Sequence, residues 1–149
     1  MAQVDGYPIG TTLNEWTLTG AATAHEATDE VYPPGNTTDY ASVGGFTGAK
    51  VLRLVMDPGP PDTFTLITSY TFTLNMSGLS AVNVPALRVR LYVAGGLRSG
   101  MIFGCNTGGA YDEVSFAFEN LNIIAPTWES GPVELEFVPI NGDSGYQLP

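Results

Sequence analysis

The chain has one imidazole, His25, and three carboxylates stand near it in sequence: Glu26, Asp29 and Glu30. A Ser-His-Asp hydrolase would use that imidazole as its base, but no serine sits in a nucleophile-elbow context, so His25 reads as a surface histidine among acids. Paired carboxylates for glycoside hydrolysis are available from Asp112, Glu113, Glu119 and Glu129, with nothing in their spacing to single out a pair. Asp29, Glu30, Asp39, Asp57 and Asp62 fall in turn-like segments where oxygen ligands for calcium could collect, yet they follow no regular ligand spacing. They read as solvated loop acids. The single cysteine, Cys105, can form no internal disulfide and has no second thiolate with which to hold a metal. It reads as a small buried apolar residue. The expectation is therefore a chain that is not an enzyme, with no catalytic residue, no metal and no cofactor.

The remaining chemistry is that of contact. Trp16, Tyr40, Tyr92, Tyr111, Trp128 and Tyr146 are aromatics able to stack on sugar rings, although most aromatics in a domain of this size go into the core. The net charge is −10, and it is uneven. All five basic side chains (Lys50, Arg53, Arg88, Arg90, Arg98) lie between positions 50 and 98, whereas the stretches before and after hold only acids. Nucleic acid is a poor partner for such a surface, because phosphate binding draws on clustered Lys and Arg. No apolar run approaches membrane-spanning length, and the first residues lack the basic and apolar regions of a signal peptide, so use without crossing a membrane is expected. Asn36-Thr-Thr38 and Asn75-Met-Ser77 match the glycosylation sequon, and without a signal peptide both read as chance.

The elements that must position these residues are strands. With 149 residues, 18 Gly, 11 Pro and 13% charged residues, the composition fits one turn-rich β domain. Residues 1–48 form a polar N-terminal arm and first strands, with a strand near Trp16-Thr-Leu18 and a turn cluster at Tyr32-Pro-Pro-Gly-Asn-Thr-Thr-Asp39. Residues 49–149 form the sandwich body. Leu52, Leu54 and Met56 alternate with Val51, Arg53 and Val55, and Asp57-Pro-Gly-Pro-Pro-Asp62 forces a loop. Residues 63–76 keep one parity, with Phe64, Leu66, Tyr70, Phe72, Leu74 and Met76 on one face of a bent strand or of two in sequence. Leu87, Val89, Leu91 and Val93 end at Gly95-Gly96. Val114, Phe116 and Phe118 form another inward row, and Val133, Leu135 and Phe137 face in while Glu134 and Glu136 face out. Arg88-x-Arg90 and Glu134-x-Glu136 would pair if their strands are neighbours. Helix signals are weak throughout. The last residues, from Ile140, form a loop entering a short final strand, either at a sheet edge or completed by a partner. The fold class is thus all-β: a single antiparallel β-sandwich with an extended N-terminal segment.

Ser69-Tyr-Thr-Phe-Thr-Leu-Asn75, Leu87-Arg-Val-Arg-Leu-Tyr-Val93 and Pro132-Val-Glu-Leu-Glu-Phe-Val138 with its Gly-rich turn resemble jelly-roll sandwiches of the galactose-binding-like and carbohydrate-binding-module type. Trp16-Thr-Leu-Thr-Gly-Ala-Ala and Asn36-Thr-Thr-Asp-Tyr-Ala-Ser42 resemble the opening of small β-sandwich proteins of tailed-phage virions. The second resemblance implies a capsid decoration or cement protein on the virion surface, made in the host cytoplasm. Such a protein would bind a major capsid or other virion protein as a homo-oligomer, dimer or trimer. Its contact residues would be Val4, Tyr7 and Trp16 of the arm and Tyr32, Tyr40 and Trp128 of the loops. The first resemblance implies the alternative, a carbohydrate-binding module of a tail fibre or an enzyme.

Overall fold

A computed structural model describes residues 6, 8–28, 40–43, 50–79, 87–103, 111–139 and 145–148. In chain order the elements are β1 (Pro8–Asn14), β2 (Thr17–Thr19), α1 (Ala24–Ala27), β3 (Tyr40–Val43), β4 (Leu52–Met56), β5 (Leu66–Ile67) and β6 (Tyr70–Leu79). They continue with β7 (Leu87–Val93), β8 (Gly96–Phe103), β9 (Tyr111–Phe118), β10 (Ile123–Ile124), α2 (Ala125–Ser130), β11 (Val133–Pro139) and β12 (Gly145–Leu148). Two five-stranded sheets run β1-β4-β11-β7-β8 and β2-β3-β12-β6-β9, and β10 pairs with β5 in a small ribbon. All the pairings are antiparallel. The fold is an all-β sandwich.

Period-2 patterning explains the first sheet. Leu52, Leu54 and Met56 of β4, Leu87, Val89, Leu91 and Val93 of β7, and Val133, Leu135 and Phe137 of β11 are all buried and form one inner face. They share a core with Ala41, Phe72 and Phe118 of the second sheet, where Phe72 packs against Phe118 at 5.3 Å between ring centroids. Sandwich cores arise in this way, from the two inner faces meeting. Trp16 and Trp128 plug opposite ends of β4. The Trp16 indole donates to the Lys50 carbonyl at 3.0 Å, before the strand begins, and the Trp128 indole donates to the Pro58 carbonyl at 3.0 Å, after it ends.

Several expectations need correction. The parity of residues 63–76 breaks: Leu66 is 44% exposed and Ile67 is buried, because β5 turns away to pair with β10 before β6 begins at Tyr70. The side chains of Leu74 and Met76 lie outside the described ones. The last strand is not an edge strand, since β12 inserts between β3 and β6. Two short helices, α1 and α2, were not signalled. Cys105, Asp29, Glu30 and Asp39 lie outside the described residues.

The β7–β8 hairpin turns on Ala94 and Gly95, both at positive φ (51° and 81°), with Val93 opposite Gly96. Two central residues at positive φ make a type I′ turn, which suits Gly, Asn and Asp and strains alanine. Ala94→Asn should therefore stabilise the chain by about 0.5–1 kcal/mol, whereas Leu135→Ala, at a core position 2% exposed, should destabilise it by about 2–5 kcal/mol. Urea titration followed by circular dichroism reads both changes as shifts of the unfolding midpoint.

Candidate functional site

The loop after β4 carries three prolines, which have no backbone N–H to donate to a sheet, so the chain leaves the sandwich here and folds back over α2. Its turns are held locally: the Asp57 carboxylate accepts the Gly59 N–H at 2.9 Å, and the Thr63 hydroxyl donates to the Pro60 carbonyl at 2.7 Å. Two longer links fix the loop to α2. One is the Trp128 indole bond to Pro58, and the other is the Asp62 N–H, which donates to the Glu129 carboxylate at 2.6 Å. The Ala125 N–H donates to the Thr65 carbonyl at 3.0 Å and so ties the ribbon to the start of the helix.

These constraints leave a half-open cleft of about 150 Å³, lined by Pro58, Gly59, Pro60, Pro61, Phe64, Ala125, Trp128 and Glu129. Its floor is aromatic and prolyl. Its one charged lining residue is acidic, the exposed Glu129, with no lysine or arginine beside it. Behind the floor, Tyr70 packs against Trp128 at 6.1 Å. Burial raises the Tyr70 phenol well above the ordinary tyrosine range, and the Asp57 carboxylate adds to the shift. Beside the cleft, Leu66 and Ile124 face each other across the β5–β10 ribbon, 44% and 55% exposed.

A second polar feature covers the outer face of the first sheet. The registers align Arg53, Glu136, Arg90 and Gly100 in one row, and Val55, Glu134, Tyr92 and Leu97 in the next. Glu134 is only 4% exposed. It accepts the Thr12 hydroxyl at 2.5 Å and lies 3.7 Å from Arg53. Arg53 also reaches Glu136 at 3.8 Å, and its guanidinium lies 3.7 Å from the centre of the Tyr92 ring. Glu136 pairs with Arg88 at 3.6 Å, on the diagonal, rather than with Arg90 directly opposite. Arg90 is thereby left without a carboxylate partner among the described residues.

The expected contact residues are scattered. Val4, Tyr7 and Tyr32 lie outside the described residues, and Tyr40 opens β3 with only its backbone described. Trp16 is 4% exposed and Trp128 6%, so neither stands out as a solvent-facing anchor, because each indole closes an end of the core. Trp128 nevertheless lines the cleft, on a helix rather than a loop. Phe64 and the prolines were missed as site residues. Their signal was the proline loop itself, which reads as a spacer until α2 is known to lie beneath it. Among the described residues no group of three His, Cys, Asp or Glu side chains could hold a metal ion.

No family model matches the chain, and no curated protein matches it. Among solved structures it is similar to the CBM36-1 domain of a multidomain xylanase from the hindgut metagenome of Trinervitermes trinervoides, at 13% identity and a TM-score of 0.37, covering 97% of this chain and 92% of that one. It is also similar to a cyclase from Fischerella sp. TAU, at 15% identity and a TM-score of 0.44, over 89% of this chain and 68% of that one. The third is an arabinose-bound GH51 α-L-arabinofuranosidase, at 16% identity and a TM-score of 0.43, in which 96% of this chain matches 22% of the enzyme.

The phenol behind the cleft gives a pH test. Below the ordinary tyrosine value of about 10, Tyr70 is protonated in both folded and unfolded chains. Above it only the unfolded chain ionises at this position, so folding stability falls as pH climbs from there toward the raised folded value. Tyr70→Phe should abolish this part of the alkaline loss, and urea midpoints measured between pH 8 and pH 11 should show a flatter profile for the variant.

Proposed function

We propose that this chain is a non-catalytic recognition module that seats one ring of a sugar chain in the cleft between the proline loop and α2. The observation that carries this reading is the division of labour within the cleft. Its floor, of Phe64, Trp128 and proline rings, suits the C–H face of a pyranose. Its rim offers a carboxylate acceptor, Glu129, to ring hydroxyls, which are donors. A volume of about 150 Å³ lies below the range usual for drug-sized ligands and suits a single ring of a longer chain.

The alternative, a decoration protein on a phage shell, draws on Val4, Tyr7 and Tyr32, outside the described residues, on Tyr40, whose side chain also lies outside them, and on Trp16 and Trp128, which are both buried. The aromatic and prolyl floor of the cleft supports the sugar-binding reading.

A glycan array followed by calorimetry on the best ligand tests this function. Phe64→Ala and Glu129→Gln should each weaken binding about tenfold; Glu129→Gln should leave the melting profile close to that of the parent chain, whereas Phe64→Ala should lower it, because Phe64 also packs against the core. Trp128→Ala is a poorer probe, because the indole also closes the core. Silence across the array from well-folded protein would sink the reading, and retention of affinity by both variants would remove the cleft from it.

A further inference from the structure

We infer that strand β8, last in the strand order of the first sheet, takes up an extended segment of a partner protein that carries a carboxylate between apolar residues. Among the described residues β8 has one neighbour, β7, so its other edge offers the outward N–H and C=O groups of alternate residues along an eight-residue strand. Sheet edges of this length are ordinarily blunted by lysine, proline or a covering segment. Here the outer-face positions are Leu97 (53% exposed), Gly100 and Ile102 (52% exposed). Arg98, the one charge on the strand, sits at the register shift and donates to the Asn122 carbonyl at 3.3 Å.

Arg90 supplies the charge complementarity. Two carboxylates on this face serve three arginines, and Glu136 engages Arg53 and Arg88. Arg90 stands opposite Gly100, and a Cβ at position 100 would come within 3.1 Å of the Arg90 Cγ. The glycine lets the arginine stem lie across the edge strand. A strand added to β8 would lie about 4.8 Å beyond it, and its residue opposite Gly100 would meet no intervening side chain on the way to the guanidinium. Residues two positions to either side of that one would lie over Ile102 and toward Leu97. Strand addition of this kind takes affinity from main-chain hydrogen bonds and selectivity from alternate side chains. A second copy of this chain is a poorer occupant, because each copy carries −10.

The test uses the whole chain and two blocked heptapeptides of alternating threonine and valine, one with a central glutamate and one with a central lysine. Backbone amide resonances of residues 96–103 should shift on titration, and the glutamate peptide should bind about fivefold more tightly than the lysine peptide. Arg90→Glu should reverse that order, whereas Ile102→Lys should weaken both peptides without reversing it. Equal affinity for the two peptides, absence of binding by either, shifts confined to other residues, or an unchanged order in Arg90→Glu would each overturn the proposal. So would an oligogalacturonate that competes with the glutamate peptide and binds more tightly, since that would make the edge a site for acidic sugars. The readout at β8 is independent of the cleft, so either inference can fail alone.

Discussion

Strand β11 lies between β4 and β7 and is covered on both faces, and within that cover sits an ionisable side chain. Val133, Leu135 and Phe137 fill the core side, while Glu134 and Val138, on the opposite face, are 4% and 1% exposed. A carboxylate removed from water needs a cation and hydrogen-bond donors close by, and Thr12 of β1 and Arg53 of β4 supply them. The cluster therefore acts as a register lock. A shift of β11 by one residue would drive Glu134 and Glu136 into the core and carry Leu135 out of it. Its net contribution to stability is small, since partly buried ion pairs repay their desolvation with little left over. Apolar replacements of similar volume often serve as well. What the cluster contributes is discrimination between one pairing and its alternatives, and every strand of the first sheet inherits its alignment from that choice.

The cleft follows from the same strand arrangement. Because β4 and β11 are paired from Met56 and Val133 onward, the segments beyond those residues, the proline loop and α2, must meet at that end of the sheet. The three prolines prevent the loop from continuing the ladder, and Trp128 is drawn down to close the core beneath them. Core closure and cleft formation are thus one packing event. An indole that seals the sandwich on one side presents part of its surface to the cleft on the other.

Strands with strict alternation were legible in the sequence, because a two-residue period with β-branched residues has few other structural meanings. The inner rows of β4, β7 and β11 came directly from that pattern, whereas the adjacency of Arg-x-Arg and Glu-x-Glu stood only as a condition until the sheet order supplied it. The misread segments are those where tertiary pairing overrides local pattern. Leu66 continues the parity of Phe64 and Tyr70 in sequence, yet the short ribbon with Ile124 turns it outward. β12 looks like an unfinished edge because four residues give no sign of what lies on either side. The aromatics misled for a related reason: Trp16 and Trp128 stand in polar surroundings in the sequence, and only the long-range bonds to Lys50 and Pro58 draw them inside. Arg53 was absent from the expected ion pairs because its strand became a neighbour of β11 only through sheet order.

The two contact regions are of opposite character, and that bears on how they coexist on one chain. Around the cleft the side-chain charges are carboxylates and the ligand must bring the donors. Along β8 the backbone supplies both donors and acceptors, and one guanidinium sets the preference. A chain of net charge −10 opposes the approach of any acidic segment over long distances. At physiological ionic strength that opposition fades beyond about 8 Å, which leaves the contact itself to decide. Arg90 is then the only outer-face arginine whose charge is not already answered by Glu134 or Glu136. Selectivity at the edge strand therefore comes from a local surplus of one positive charge, created by the way two glutamates are shared among three arginines.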